Sequence, residues 1–234
     1  MTPRARPSTL ALALTASLAL GCGSGGGTGP APDFSVSVGA APATTLGTQV
    51  KFAVTLTSTG YGGVVTLAAS GAPASWTVAF SSNPVALTAD GSASDTVIVT
   101  IPTDGAPAPS GQALTVHATA GSLGHTASTP VTVANEYIVP IADGTGSGAH
   151  WGALDGTTIH LNAGTTLTIR NDDATAHRVH TDGTIPGFPH QAGDMGTGGA
   201  YSVVVQSGGS GPSSDTFYCH DHGTGTGQVH VIVQ

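Results

Sequence analysis

The sequence predicts an all-β protein made of two β-sandwich domains. Three observations predict it. Thr, Ser and Val recur throughout, alongside 35 Gly and 15 Pro in 234 residues, a composition suited to short strands joined by turns. Apolar and polar residues alternate in short runs from Phe34 to Gln234, the period of a half-buried strand. No run of helical periodicity follows the first twenty residues.

The chain opens on an export pattern. Arg4 and Arg6 form a short basic region, and residues 9–21 form an apolar core too short to span a bilayer. That core runs into Cys22, and "LALGC" resembles a bacterial lipobox, with Ala19 and Leu20 departing from its usual order. The resemblance implies a signal over residues 1–22, lipid attachment at Cys22, and a membrane-anchored lipoprotein in the periplasm or on the outer surface of a bacterium. The alternative is an ordinary signal peptide cleaved nearby. Residues 23–33, "GSGGGTGPAPD", read as a flexible tether. Only 8% of residues are charged and the net charge is -8. Scarce Lys and Arg argue against nucleic acid, whose binding is built on basic contacts to phosphate, and against anionic lipid held by a basic patch. The two cysteines are Cys22 and Cys219. A lipidated Cys22 cannot form a disulfide, which leaves Cys219 an odd thiol in an exported protein.

Residues 34–134 carry seven alternating segments: "FSVSVG", "QVKFAVTLTS", "GVVTLAAS", "WTVAFSS", "DTVIVTIP", "QALTVHATA" and "TPVTVAN". Seven short strands with turn signals between them predict an immunoglobulin-like sandwich, resembling bacterial surface domains of that class. Trp76 is expected between the sheets. His117 and His125 read as incidental. This domain carries no catalytic pattern and is read as a spacer or adhesion module.

The texture changes near Asn135. Residues 135–234 add "EYIVPIA", "TTIHLNAG", "TTLTIRND", "AYSVVVQS", "DTFYCH" and "QVHVIVQ", and eight of the ten histidines lie here. In "DTFYCHDHGTGTGQVHVIV", Cys219 ends a strand and His222 lies three residues on, in a Gly/Thr loop. Thiolate and imidazole on one loop suit copper or zinc, although such a pair alone is equally compatible with an inert buried cysteine beside loop histidines.

His177, in "RNDDATAHRVHTDG", precedes Cys219 by 42 residues. An Asn-containing turn leading to a histidine, then Tyr-Cys-x-x-His, then a closing Val-rich strand resembles the cupredoxins, the plastocyanin- and azurin-like blue copper domains. The resemblance covers residues 135–234 and implies a Greek-key sandwich with copper held by His177, Cys219 and His222. Two imidazoles and a thiolate form the trigonal set of a blue-copper electron-transfer site. The expected function is therefore a membrane-tethered electron carrier serving a redox partner protein, with no catalytic residues. The alternatives are copper binding or delivery, a copper enzyme formed by oligomerisation, and an adhesion protein whose second domain has lost its metal.

The family's axial methionine is missing from the loop "GTGTGQ". Gln228 is the nearest candidate for that role, although its alternation with Val229, Val231 and Val233 turns it outward. Met195, the one methionine besides Met1, lies in a different element. The same parity argument turns His180 and His220 away from the copper and sets His230 opposite the valine face. These three are read as surface residues or as a candidate second metal site, and Asp221 as an acceptor that orients His220 or His222. His190 is expected on the rim of the site, and His150 and His160 as structural or surface residues. Phe217 is expected to wall the sulfur, and Arg178 to mark a docking rim.

Overall fold

Among the described residues, alternation of apolar residues at every second position sets fifteen strands: β1 (Asp33–Val38), β2 (Thr44–Leu46), β3 (Gln49–Thr59), β4 (Gly63–Ser70), β5 (Thr77–Phe80), β6 (Val85–Leu87), β7 (Ser92–Thr100), β8 (Ala108–Ala120), β9 (Leu123–Ile141), β10 (Thr158–Leu161), β11 (Thr166–Asn171), β12 (Val179–Thr181), β13 (Ala200–Val204), β14 (Ser213–Cys219) and β15 (Val229–Val233). The structure is a computed structural model that describes residues 29–142, 144–145, 154–185, 190–208, 212–221, 223 and 228–234. The expected signal, the lipid site Cys22 and most of the tether lie outside the described residues, as do His150 and His222. Of the unit Met1–Pro30, only the last two residues are described; Ala31–Gln234 forms a second, compact unit. The described residues contain no helix, in agreement with the all-β expectation.

The described strands form three sheets. One has the order β1-β3-β7-β5, one β10-β15-β14-β12, and the largest runs β13-β11-β9-β8-β4-β6 with β2 also paired to β9. The seven strands expected in the first half are all present, with two short additions, β2 and β6. In β3, Val50, Phe52, Val54 and Leu56 point inward while their neighbours face solvent. Each such side chain contributes about 1.5–3 kcal/mol when fully buried. Trp76 is buried as expected, and its indole N–H donates to the Ala106 carbonyl at 2.9 Å, which satisfies its polar edge.

The segment "EYIVPIA" is not a separate strand. It is the second half of β9, which runs through Asn135 without a break. Its first half pairs antiparallel with β8 and its second half parallel with β11. The chain thus crosses from one texture to the other inside a single strand. His117 and His125, expected to be incidental, are hydrogen bonded: His117 to Ser70 at 2.7 Å and His125 to Asp33 at 2.8 Å.

In the second half, β10 runs parallel to β15, while β15, β14 and β12 are antiparallel neighbours. Their inward residues, Ile159, Leu161, Phe217, Val179, Val229, Val231 and Val233, share the core with Val139, Ile141, Leu167 and Ile169 of the large sheet. Strand β12 was not among the expected segments. Its three residues hold the register between His177 and Cys219.

Candidate metal centre

The site grows from the pairing of β12 with β14. Val179 lies opposite Cys219 and His180 opposite Tyr218. The His220 amide donates to the Arg178 carbonyl at 2.7 Å, carrying the ladder one step further. His177 is two residues before Val179 and therefore shares its face, diagonal to Cys219. Diagonal neighbours across a ladder lie about 7–8 Å apart at Cα, and closer at Cβ. His177, Val179, Phe217 and Cys219 are all fully buried. The Gly223 amide folds back onto the Cys219 carbonyl at 3.0 Å, and Gly223 takes the positive φ of 81° that glycine adopts without strain. His222 lies outside the described residues.

The polar turn before His177 is tightly braced. Asn171, fully buried, donates from Nδ2 to the carbonyls of Thr175 and Met195, both at 2.8 Å, and accepts the Asp173 amide at 2.9 Å. Asp173 is 2% exposed; its Oδ1 accepts the Gly144 amide at 2.9 Å. Its Oδ2 accepts the Thr175 amide at 3.3 Å and lies 3.2 Å from Nε2 of His177. Neither Asn171 nor Asp173 was singled out from sequence. The signal available was an acid four positions ahead of a histidine in an Asn-led turn, a spacing that lets a folded turn present both side chains to each other.

Met195 stands directly opposite His177. The His177 amide donates to the Met195 carbonyl at 3.0 Å and the Met195 amide to the His177 carbonyl at 2.7 Å. Residues so paired point to the same side of a ladder, and Met195 is 3% exposed. Sequence distance therefore misplaced this thioether, which belongs to the neighbourhood of His177. Gln228 immediately precedes Val229, which pairs with inward-facing Phe217. By strand parity Gln228 belongs to the opposite face from Phe217 and Cys219, and it is half-buried.

The outer face holds a second grouping. His180 Nδ1 lies 3.1 Å from His220 Nδ1, and His190 Nε2 lies 3.0 Å from the same atom. Tyr218 supports the group from below, its ring centroid 4.6 Å from that of His180. Burial, followed by the neighbouring His190 and His220, holds the His180 pKa below its ordinary value. Sequence parity places His180 and His220 correctly on this face. It names His230 as their companion, whereas the structure brings His190. His230 instead meets Thr216 Oγ1 at 3.1 Å, and Asp221 is exposed. Arg178, the expected rim residue, is paired with Asp194. His160 is exposed on β10 and meets Gln234 Nε2 at 3.4 Å.

A thiol and an imidazole in a dry wall of Val and Phe suit a soft or borderline ion, for which a deprotonated sulfur and a neutral nitrogen are natural donors. The donor set present thus fits copper.

No protein-family model matches the sequence, and the chain matches no curated protein. Solved structures do resemble it. A purple cupredoxin from Nitrosopumilus maritimus is 22% identical, matching 40% of this chain and 97% of its own length, with a TM-score of 0.28. The D0-D1 domain of intimin is 14% identical over 87% of this chain and 97% of its own, TM-score 0.30. A copper-containing nitrite reductase from Thermus scotoductus SA-01 is 12% identical over 82% of this chain, TM-score 0.27; the chain spans 59% of the reductase's length. These are likenesses of β-sandwich architecture.

Proposed function

We propose that the protein is a copper protein acting as an electron carrier, with one type 1 ion held by His177, Cys219 and His222. One observation carries the reading: a fully buried thiol ends β14 and a fully buried imidazole lies two residues ahead of its partner strand β12, on the same side by strand parity. Copper, when bound, supplies the one-electron couple. The chain's own residues do the rest. Cys219 would hold the ion as thiolate, and a sulfur so coordinated is withheld from disulfide exchange. Asp173 fixes the orientation of the His177 ring through Nε2, so that Nδ1 is the nitrogen that binds the ion. Val179 and Phe217 exclude water, which limits rearrangement between oxidation states. Met195, paired with His177 and buried, would offer a weak thioether donor to the ion in place of Gln228. The lipid anchor at Cys22 and the Gly-rich tether hold the carrier beside a membrane, within reach of a redox partner protein. The reading assigns no substrate chemistry.

The test is to load the purified protein with Cu(II) and record visible absorption and EPR spectra. The expected result is an intense thiolate-to-copper charge-transfer band with narrow hyperfine splitting, both lost in Cys219→Ser. Copper bound tightly without that band would refute the carrier and favour copper delivery. Absence of copper binding at the thiol would refute both.

A further inference from the structure

We infer that His180, His190 and His220 form a second metal site, on the outer face of the β12–β14 ladder, for a borderline divalent ion that prefers copper(II) to zinc(II). The ligand atoms of the three side chains lie within 4.8 Å of one another. Two of the separations are 3.0 and 3.1 Å, and both end on His220 Nδ1. Nitrogens bound to one ion at about 2.05 Å, with angles of about 90–110°, stand about 2.9–3.4 Å apart. These two separations fall in that range, and the third, between His180 and His190, is within 4.8 Å, a gap that small rotations of the rings can close.

The proton count points the same way. His190 Nδ1 lies 2.7 Å from the Gln191 carbonyl, which can only accept, so Nδ1 carries the proton. A neutral His190 then presents the lone pair of Nε2 to His220. His220 Nδ1 faces two nitrogens, and one ring nitrogen cannot both donate to His190 and accept from His180. In the neutral cluster a single N–H on His220 is therefore at best shared between the two contacts. A cation among the three nitrogens accepts all three lone pairs and removes the conflict.

The elements hold the donors in place. His180 stands on β12 with Tyr218 beneath it, and His220 directly follows the paired strand β14, its amide donating to the Arg178 carbonyl at 2.7 Å. His190 is fixed by its neighbour: the Gln191 amide donates to the Val179 carbonyl at 3.1 Å, and Gln191 Oε1 accepts the Val179 amide at 2.9 Å. His190 and His220 are exposed and His180 half-exposed, so an ion reaches the site from solvent. Three protein ligands leave a fourth position for water or a small anion, the open arrangement of reactive rather than closed structural sites. Preference for copper(II) follows the general order of divalent affinities for nitrogen donors. The inference does not depend on a copper ion at Cys219, although His220 is the very next residue.

The experiment separates the two sites. In Cys219→Ser protein, titration with Cu(II) and with Zn(II) is followed by calorimetry and, for copper, by EPR. The expected result is one ion bound with the wide hyperfine splitting of a nitrogen-ligated site, copper more tightly than zinc, and a copper spectrum that azide shifts. Adding His180→Ala, His190→Ala and His220→Ala removes one equivalent, and each single change weakens binding by at least about 100-fold, more than loss of an outer-sphere partner would. His230→Ala leaves binding unchanged. The four histidines are exposed or half-exposed, and a thermal melt checks that the variants, including the buried Cys219→Ser, fold. Equal stoichiometry with and without the three histidines would overturn the site. Zinc binding tighter than copper would overturn the stated preference, and indifference to azide would overturn the open position.

Discussion

Replacing Asp173 by Asn removes one oxygen while leaving the size of the side chain unchanged. The wild-type carboxylate uses both oxygens: Oδ1 takes the Gly144 amide at 2.9 Å, and Oδ2 takes the Thr175 amide and faces Nε2 of His177 at 3.2 Å. Asparagine has one acceptor and two donors, so an N–H group must confront donors on one side. Oriented to keep the Gly144 bond, it turns its amide toward Thr175 and His177; flipped, it loses Gly144. With Asp173 only 2% exposed, water does not repair the loss. A buried donor left without its acceptor costs about 1–3 kcal/mol, which urea denaturation of the metal-free protein measures. At the ion, loss of the group that orients a ligating imidazole costs about 10–100-fold in affinity, or about 1.4–2.7 kcal/mol, measured by competition against a chelator of known copper affinity. In a His177→Ala background the change should have no further effect on copper affinity, because Asp173 reaches the ion through that one contact, while the stability cost at Gly144 or Thr175 persists. Unaltered copper affinity, or the same loss with His177 already removed, would refute the role given to Asp173.

Two further outcomes follow. Met195→Leu conserves volume, so it should cost less than about 1.5 kcal/mol in stability, yet raise the reduction potential of the copper-loaded protein, because a lost thioether donor favours Cu(I). A potential equal to wild type in protein-film voltammetry would remove Met195 from the axial role. At the other end of the fold, the hydrogen bond from His125, reinforced by the Phe34 amide, holds the Asp33 carboxyl below its ordinary value near 3.8. A depressed folded-state pKa contributes stability that is present above 3.8 and lost as pH falls through the folded value. His125→Ala should therefore raise the Asp33 titration midpoint toward 3.8 and flatten the acid limb of the stability curve. Carboxyl-carbon NMR reads the midpoint directly, and an unmoved midpoint would contradict the assignment.

Strand alternation made most of the fold legible in the sequence. It located β3, β7, β8, β14 and β15, because each buries one face and exposes the other over at least five residues. It could not reveal β2, β6 and β12, each three residues long, since three positions hold too little periodicity to stand out from a turn. It also divided β9 at Asn135. There the composition changes while the backbone continues, and composition tracks the partners of a strand rather than its hydrogen bonds. Long-range pairing was the other blind spot. Met195 and His190 come to the site through backbone bonds to His177 and, through Gln191, to Val179, and no local pattern in the sequence announces those pairings.

Parity explains why two different chemistries can be written into so few residues. A strand sends successive side chains to opposite faces. Along β12 and its approach, His177 and Val179 go inward and His180 outward; along β14, Phe217 and Cys219 go inward and Tyr218 outward, with His220 following. The inner donors sit in a dry, preformed wall, where a thiolate is costly unless a cation compensates it. The outer donors meet water, where three neutral imidazoles gather a divalent ion without burying charge. Sliding β12 by one residue against β14 would set Arg178 or His180 beside the sulfur and separate the outer histidines, destroying both groupings at once. The short strand β12 and the Asn171–Asp173 brace therefore serve one end: they fix the register on which the two faces depend.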